Sequence, residues 1–130
     1  MQPPLFFTSG QTGVVALSGS TETVIATLSG VVTPYGPQTV ALRGRTLLTS
    51  GTTTTAVVLR IRRASLTGTL VDDQTGQTTI TLATDTNIYE VAGDDAPGEI
   101  TGGVYVLTAQ QTGGGTGGTT VYAVLDAFVF

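Results

Sequence analysis

The side chains that could do chemistry in this sequence are nine carboxylates and five arginines; histidine, cysteine and lysine are absent. Without cysteine there is no thiol nucleophile, no disulfide and no Cys-ligated zinc. Without histidine the commonest general base and transition-metal ligand are missing. Acid–base catalysis by paired carboxylates would fall to Asp72–Asp73 or Asp94–Asp95. Adjacent residues on a strand point to opposite faces, and both pairs are flanked by turn residues, so each is expected to be solvated rather than convergent. Asp94, Asp95 and Glu99 come nearest to a calcium loop, but such a loop needs about six to eight organised oxygens, and Pro97 and Gly98 interrupt the spacing. The run Gly113–Gly118 lacks the lysine and following helix of a phosphate loop. Sugar rings stack on aromatic faces, tryptophan above all, and there is no tryptophan; of Tyr35, Tyr89, Tyr105 and Tyr122, Tyr35 in its Pro–Gly turn is the one expected to be exposed. Neither enzymatic activity nor any metal or cofactor is expected.

The arginines carry more. All five lie in Thr39–Ala64, TVALRGRTLLTSGTTTTAVVLRIRRA. Two β-rich runs flank Ser50–Gly51 and read as a hairpin with an even-numbered loop. Val40, Leu42 and Gly44 then share a face with Val57, Leu59 and Ile61, while Arg43, Arg45, Arg60 and Arg62 share the other. A slip of one residue would put the arginines among the aliphatics, so the register is firmly set. Like charges side by side on a sheet repel unless carboxylates answer them. Residues 1–71 hold the five arginines and only Glu22, giving +4, whereas residues 72–130 carry −8. Either the two halves screen each other within one fold, or the Arg face of one copy meets acidic loops of another copy or of a partner. The planar guanidinium fork suits the second role, because it can hold a carboxylate bidentately. Nucleic acid is not expected, since a net charge of −4 without lysine offers little counterion release.

The elements that position these residues are strands nearly throughout. Twenty-seven threonines against one asparagine, with many valines, fit a pleated and half-buried surface, and eighteen glycines mark the turns. At 130 residues the chain is one domain by length. Pro3–Pro4 keeps the start extended, so residues 1–12 are read as an extended N-terminal arm and 13–130 as a single β-sandwich domain. Leu5, Phe6 and Phe7 either tuck back onto their own sheet or dock on a neighbour. Strands are expected at Val14–Leu17, Thr23–Val32, Leu66–Leu70, Thr78–Leu82, Asn87–Val91, Val104–Thr108 and Thr120–Phe130, the last two as a pair. In Thr23–Val32, Val24, Ala26 and Leu28 share one face and Ile25 the other. Gly93–Gly98 reads as an exposed loop. The final strand is apolar on both sides, with Val121, Ala123, Leu125 and Val129 pointing one way and Tyr122, Val124, Phe128 and Phe130 the other. Such a strand is buried inside the sandwich or under a subunit contact.

About eight short strands with turn signals at intervals of about ten residues favour an all-β, two-sheet antiparallel sandwich of jelly-roll type. An immunoglobulin-like sandwich is the alternative, without the Cys and Trp that mark antibody domains. No apolar run is long enough to span a bilayer, and the opening MQPPLFFTSG lacks the basic region and long apolar run of a signal peptide.

In its Thr/Gly/Val-rich texture, in the stretch TVALRGRTLLTSGTTTTAVVLRIRRAS and in the ending GGVYVLTAQQTGGGTGGTTVYAVLDAFVF, the chain resembles the small jelly-roll structural proteins of tailed-phage virions. The resemblance spans most of residues 20–130. It implies a capsid decoration or cement protein on the virion surface, self-associating as a trimer and contacting a major capsid protein. A carbohydrate- or receptor-binding module of a fibre or spike is the alternative. Candidate interface residues are Leu5, Phe6, Phe7, Arg43, Arg45, Arg60, Arg62, Leu125, Phe128 and Phe130.

Overall fold

Alternating threonine and aliphatic residues can bury one side of a strand while leaving the other wet, and two such sheets cover each other. A computed structural model shows this arrangement; it describes residues 4–10, 12–18, 20–49, 56–74, 86–112 and 118–130. The strands are β1 (Leu5–Thr8), β2 (Val15–Ala16), β3 (Thr23–Val31), β4 (Val40–Thr49), β5 (Ala56–Arg63), β6 (Leu70–Gln74), β7 (Thr86–Asp95), β8 (Gly103–Thr112) and β9 (Thr119–Val129). Sheet A runs β1-β9-β4-β7, with β2 also on β9, and sheet B runs β3-β8-β5-β6. All pairings are antiparallel. Because β1 and β2 share one edge of β9, the nine strands among the described residues fill eight positions in two four-position layers, a jelly roll.

Between the layers lies one aliphatic core. Leu42, Leu48, Leu125 and Val129 of sheet A and Leu59 and Leu107 of sheet B are among the side chains almost wholly removed from water. Gly44 faces inward for a packing reason: a Cβ built there would stand 2.6 Å from Leu107 Cδ1. Only a residue without a side chain lets β4 approach β8 this closely.

Several expectations are corrected. The two runs of Thr39–Ala64 do not pair with each other: β4 pairs with β7 and β9, and β5 with β6 and β8. The chain crosses between sheets, as it does again between β8 and β9, where the sequence predicts a pair. Period-two alternation fixes which face a residue occupies, and that face is the same whether the next strand lies beside it or across the core. The inward set Val40, Leu42, Gly44, Val57, Leu59 and Ile61 is therefore right although the partners are wrong. Register shifts explain two further misses. A bulge between Val24 and Ala26 turns Ile25 into the core beside Ala26. Another, opposite Leu47 and Leu48, leaves Val121 39% exposed. β6 begins where the strand Leu66–Leu70 was expected to end, so Asp72 and Asp73 lie on a strand rather than in a turn; β7 likewise runs through Asp94 and Asp95. The expected strand Thr78–Leu82 lies outside the described residues, as do Ser50–Gly51 and most of Gly113–Gly118.

Within the expected arm, Leu5–Thr8 forms a strand tied to its own sheet. Leu5–Thr8 pairs with Val129–Asp126, Ser9 exchanges backbone and hydroxyl hydrogen bonds with Leu125, and the Thr12 amide donates to the Ala123 carbonyl.

Candidate functional site

Since β4 and β5 belong to different sheets, the arginines do not share a face. Arg43 and Arg45 stand on the outer face of sheet A, Arg60 and Arg62 on the outer face of sheet B, with the whole sandwich between them. All five meet carboxylates of the same chain. Arg43 pairs with Glu90 at 2.9 Å, Arg45 with Asp126 at 3.5 Å, Arg60 and Arg62 with Glu22 at 3.4 and 2.7 Å, and Arg63 with Asp95. Arg43, Arg45 and Arg63 are answered by the acidic half, whereas Arg60 and Arg62 share Glu22 of their own half. The single face shared by Arg43, Arg45, Arg60 and Arg62 is overturned by this topology.

The densest polar cluster is on sheet B. The segment before β3 carries Glu22 over the strands, where its carboxylate accepts from Arg62 Nε and Nη2, Arg60 Nη1 and the Thr108 hydroxyl. Arg60 also donates to Gln110, whose amide donates to the Ser20 carbonyl. Burial pushes the Glu22 carboxyl up, but the hydrogen bonds from Arg62 and Thr108 and the charges of Arg62 and Arg60 hold it below its ordinary value. The sequence reading passed over Glu22. The available signal was that it is the sole acid among the first 71 residues, beside five arginines.

A second cluster joins the two sheets. Asp95 of β7 accepts a two-pronged contact from Arg63 of β5 and a 2.7 Å bond from the Tyr105 hydroxyl of β8. Burial raises the Asp95 carboxyl, yet Arg63 and Tyr105 outweigh it and the net shift is downward. Burial, and then the Asp95 charge, push the Tyr105 phenol well above its usual range.

The Asp94–Asp95 pair does not converge. Asp94 is exposed on sheet A, whereas Asp95 is committed to Arg63 and Tyr105. Among the described residues, no three of His, Cys, Asp and Glu are placed to hold a metal ion. Tyr35 is 58% exposed in its turn. Near it, a shallow cleft of about 320 Å³ is lined by Pro37, Gln38, Thr39, Ala96, Gly98 and Phe130.

Of the apolar candidates, Leu125 is fully buried in its own core, and Leu5 and Phe7 are partly buried against that core. Phe6, Phe128 and Phe130 remain 54, 50 and 62% exposed. Phe6 and Phe128 are cross-strand neighbours on the outer face of sheet A, with ring centroids 5.0 Å apart at 50°. Tyr122, Val124, Leu47 and Ile88 continue this face, and Ile88 is 63% exposed.

No protein-family model matches the sequence, and no curated protein matches it. The fold is similar to solved viral capsid structures. A structure of infectious bursal disease virus, Gx strain, aligns over 97% of this chain with a TM-score of 0.57 at 11% identity. The VP2 protein of the same virus, in derived T=1 particles, aligns over 96% with a TM-score of 0.55 at 9% identity. The chain spans about a third of those proteins, 32% and 31% of their lengths. A carbohydrate-binding module from Cellvibrio mixtus lichenase 5A, solved with cellotriose, aligns more loosely, over 93% of this chain and 95% of that one, with a TM-score of 0.37 at 10% identity. At these identities the likeness is one of fold. The chain has the jelly-roll architecture found in viral capsid proteins.

Proposed function

We propose that the chain is a structural protein of a virus particle: a jelly-roll module of the decoration or cement type, without catalytic activity, that associates with copies of itself and with a major capsid protein at the particle surface. The observation that carries this reading is the open face of sheet A. There Phe6 and Phe128 pack against each other as a tilted pair, half exposed, with Phe130 exposed two residues on. A monomer gains nothing by leaving such a cluster wet, and burying one Phe contributes roughly 1.5–3 kcal/mol. The tailed-phage setting rests on the sequence resemblance, and solved viral capsid structures are similar to the chain in fold. The test is light scattering over a concentration series for the wild type and for Phe6→Ser/Phe128→Ser. The wild type should form an oligomer that the variant loses while keeping its fold; equal behaviour would sink the reading.

A second reading is a carbohydrate- or receptor-binding module of a fibre or spike. It is favoured by the exposure of Tyr35 and Phe130 beside the cleft at one end of the sandwich. Selective binding on a glycan array, abolished by Tyr35→Ala, would establish it.

A further inference from the structure

The two outer faces of the sandwich are finished differently. On sheet B, Glu22 lies over the strands and satisfies Arg60, Arg62 and Thr108. The face of sheet A stays open, and its polar groups are less well served. Arg45 reaches Asp126 only at 3.5 Å, and its Nε is buried with no hydrogen-bond partner among the described residues. Register arranges the centre of this face in four rows across β9 and β4: Phe128 beside Ala41, Asp126 beside Arg43, Val124 beside Arg45 and Tyr122 beside Leu47.

We propose that this face docks on the same face of a second copy, about a two-fold axis parallel to β4 and β9. The inference rests on the self-association proposed above and assigns its geometry. Such an axis lays β9 of one copy over β4 of the other and keeps each row at its own height. Phe128 then meets Ala41 of the second copy, large against small. Asp126 meets Arg43, Val124 covers the Arg45 stem and Tyr122 meets Leu47, each contact occurring twice because the interface is isologous. Asp126, held in its own chain by one long contact, has lone pairs left for the incoming guanidinium. An in-plane axis at right angles to the strands would instead set Arg43 over Arg45, like charge on like. The rows and strands give a footprint of roughly 20 by 19 Å. That is about 380 Å² a side, roughly half the standard specific interface, so the pair should be weak and dissociate on dilution.

Charge exchange in the full-length chain tests this. Asp126→Arg alone places two arginines opposite each other, and Arg43→Asp alone places two aspartates. Each should weaken dimerisation at least about tenfold in sedimentation equilibrium. An equimolar mixture of the two variants should recover it as a dimer of unlike chains. Asp126 and Arg43 are also neighbours within one chain, and mixing separates the two cases, because an intramolecular pair cannot be restored by another molecule. Melting curves check that each variant is folded; where one is not, Ala41→Glu, facing Phe128 of the second copy, should show the same loss. A wild type that dimerises without recovery in the mixture overturns the geometry and leaves self-association standing, as does a stable trimer. A wild type that is monomeric at every concentration overturns both.

Discussion

Replacing Glu22 by Gln tests whether the sheet B network is structural. The glutamate accepts at 2.7 and 3.0 Å from Arg62, 3.4 Å from Arg60 and 2.7 Å from Thr108, and the ionic side chains are 17–20% exposed. Gln keeps the shape but loses the charge and turns an amide donor toward guanidinium donors. Charge-assisted bonds contribute roughly 1.5–3 kcal/mol each when intact. They are not additive, and the guanidinium groups can partly rehydrate. A total loss of about 2–3 kcal/mol is expected, or about 10 °C in Tm for a domain of this size. Arg43→Gln is the control, since its pair with Glu90 is 58% and 47% exposed and should matter by about 0.5 kcal/mol or less. The pH dependence has a definite sign. The folded Glu22 carboxyl lies below its unfolded value. Its stabilisation is therefore fully present above the ordinary glutamate value and lost as pH falls through the lower, folded one. Urea unfolding of both proteins from neutral pH into acid reads this as a gap that closes at low pH. A gap under about 0.5 kcal/mol at neutral pH, or one that does not close, would refute the reasoning.

Three further expectations follow from the packing. Gly44→Ala should cost about 1–3 kcal/mol in urea unfolding, because the new methyl meets Leu107 in a filled core; an unchanged midpoint would show slack between the sheets. Leu125→Asp puts an unpaired charge at a fully buried position and should abolish cooperative folding in circular dichroism; a folded product would contradict the burial assignment. Asp95→Asn should cost about 1–2 kcal/mol, discounted because Arg63 is 39% exposed. It should also bring the Tyr105 phenol down in an ultraviolet titration, since the carboxylate charge helps to hold it high; an unmoved phenol would mean burial alone sets it.

The sequence made the faces of this fold legible and hid its partners. Alternation identified the inward residues of β4 and β5, and the composition identified the sandwich, because burial on one side is a local property of each strand. Strand pairing in a jelly roll is not local: of the strands from β3 onward, only β5 and β6 are both consecutive and paired. The single arginine face was lost for that reason. Ile25 and Val121 were misplaced by bulges, each of which shifts phase by one residue without any mark in composition. Glu22 was missed because a lone acid in a loop carries no periodicity, and only the charge count around it was informative. Phe6 and Phe128 were legible as an apolar excess, while their packing on the open face required the register.

The measurement that tests the central claim most directly is the molar mass of the full chain in solution across a concentration series. Self-association through the face of sheet A predicts a mass above that of the monomer that rises with concentration, is lost in Phe6→Ser/Phe128→Ser, and persists in Arg60→Gln on the opposite face. A monomeric mass at every concentration, or an oligomer indifferent to the Phe substitutions, would contradict it.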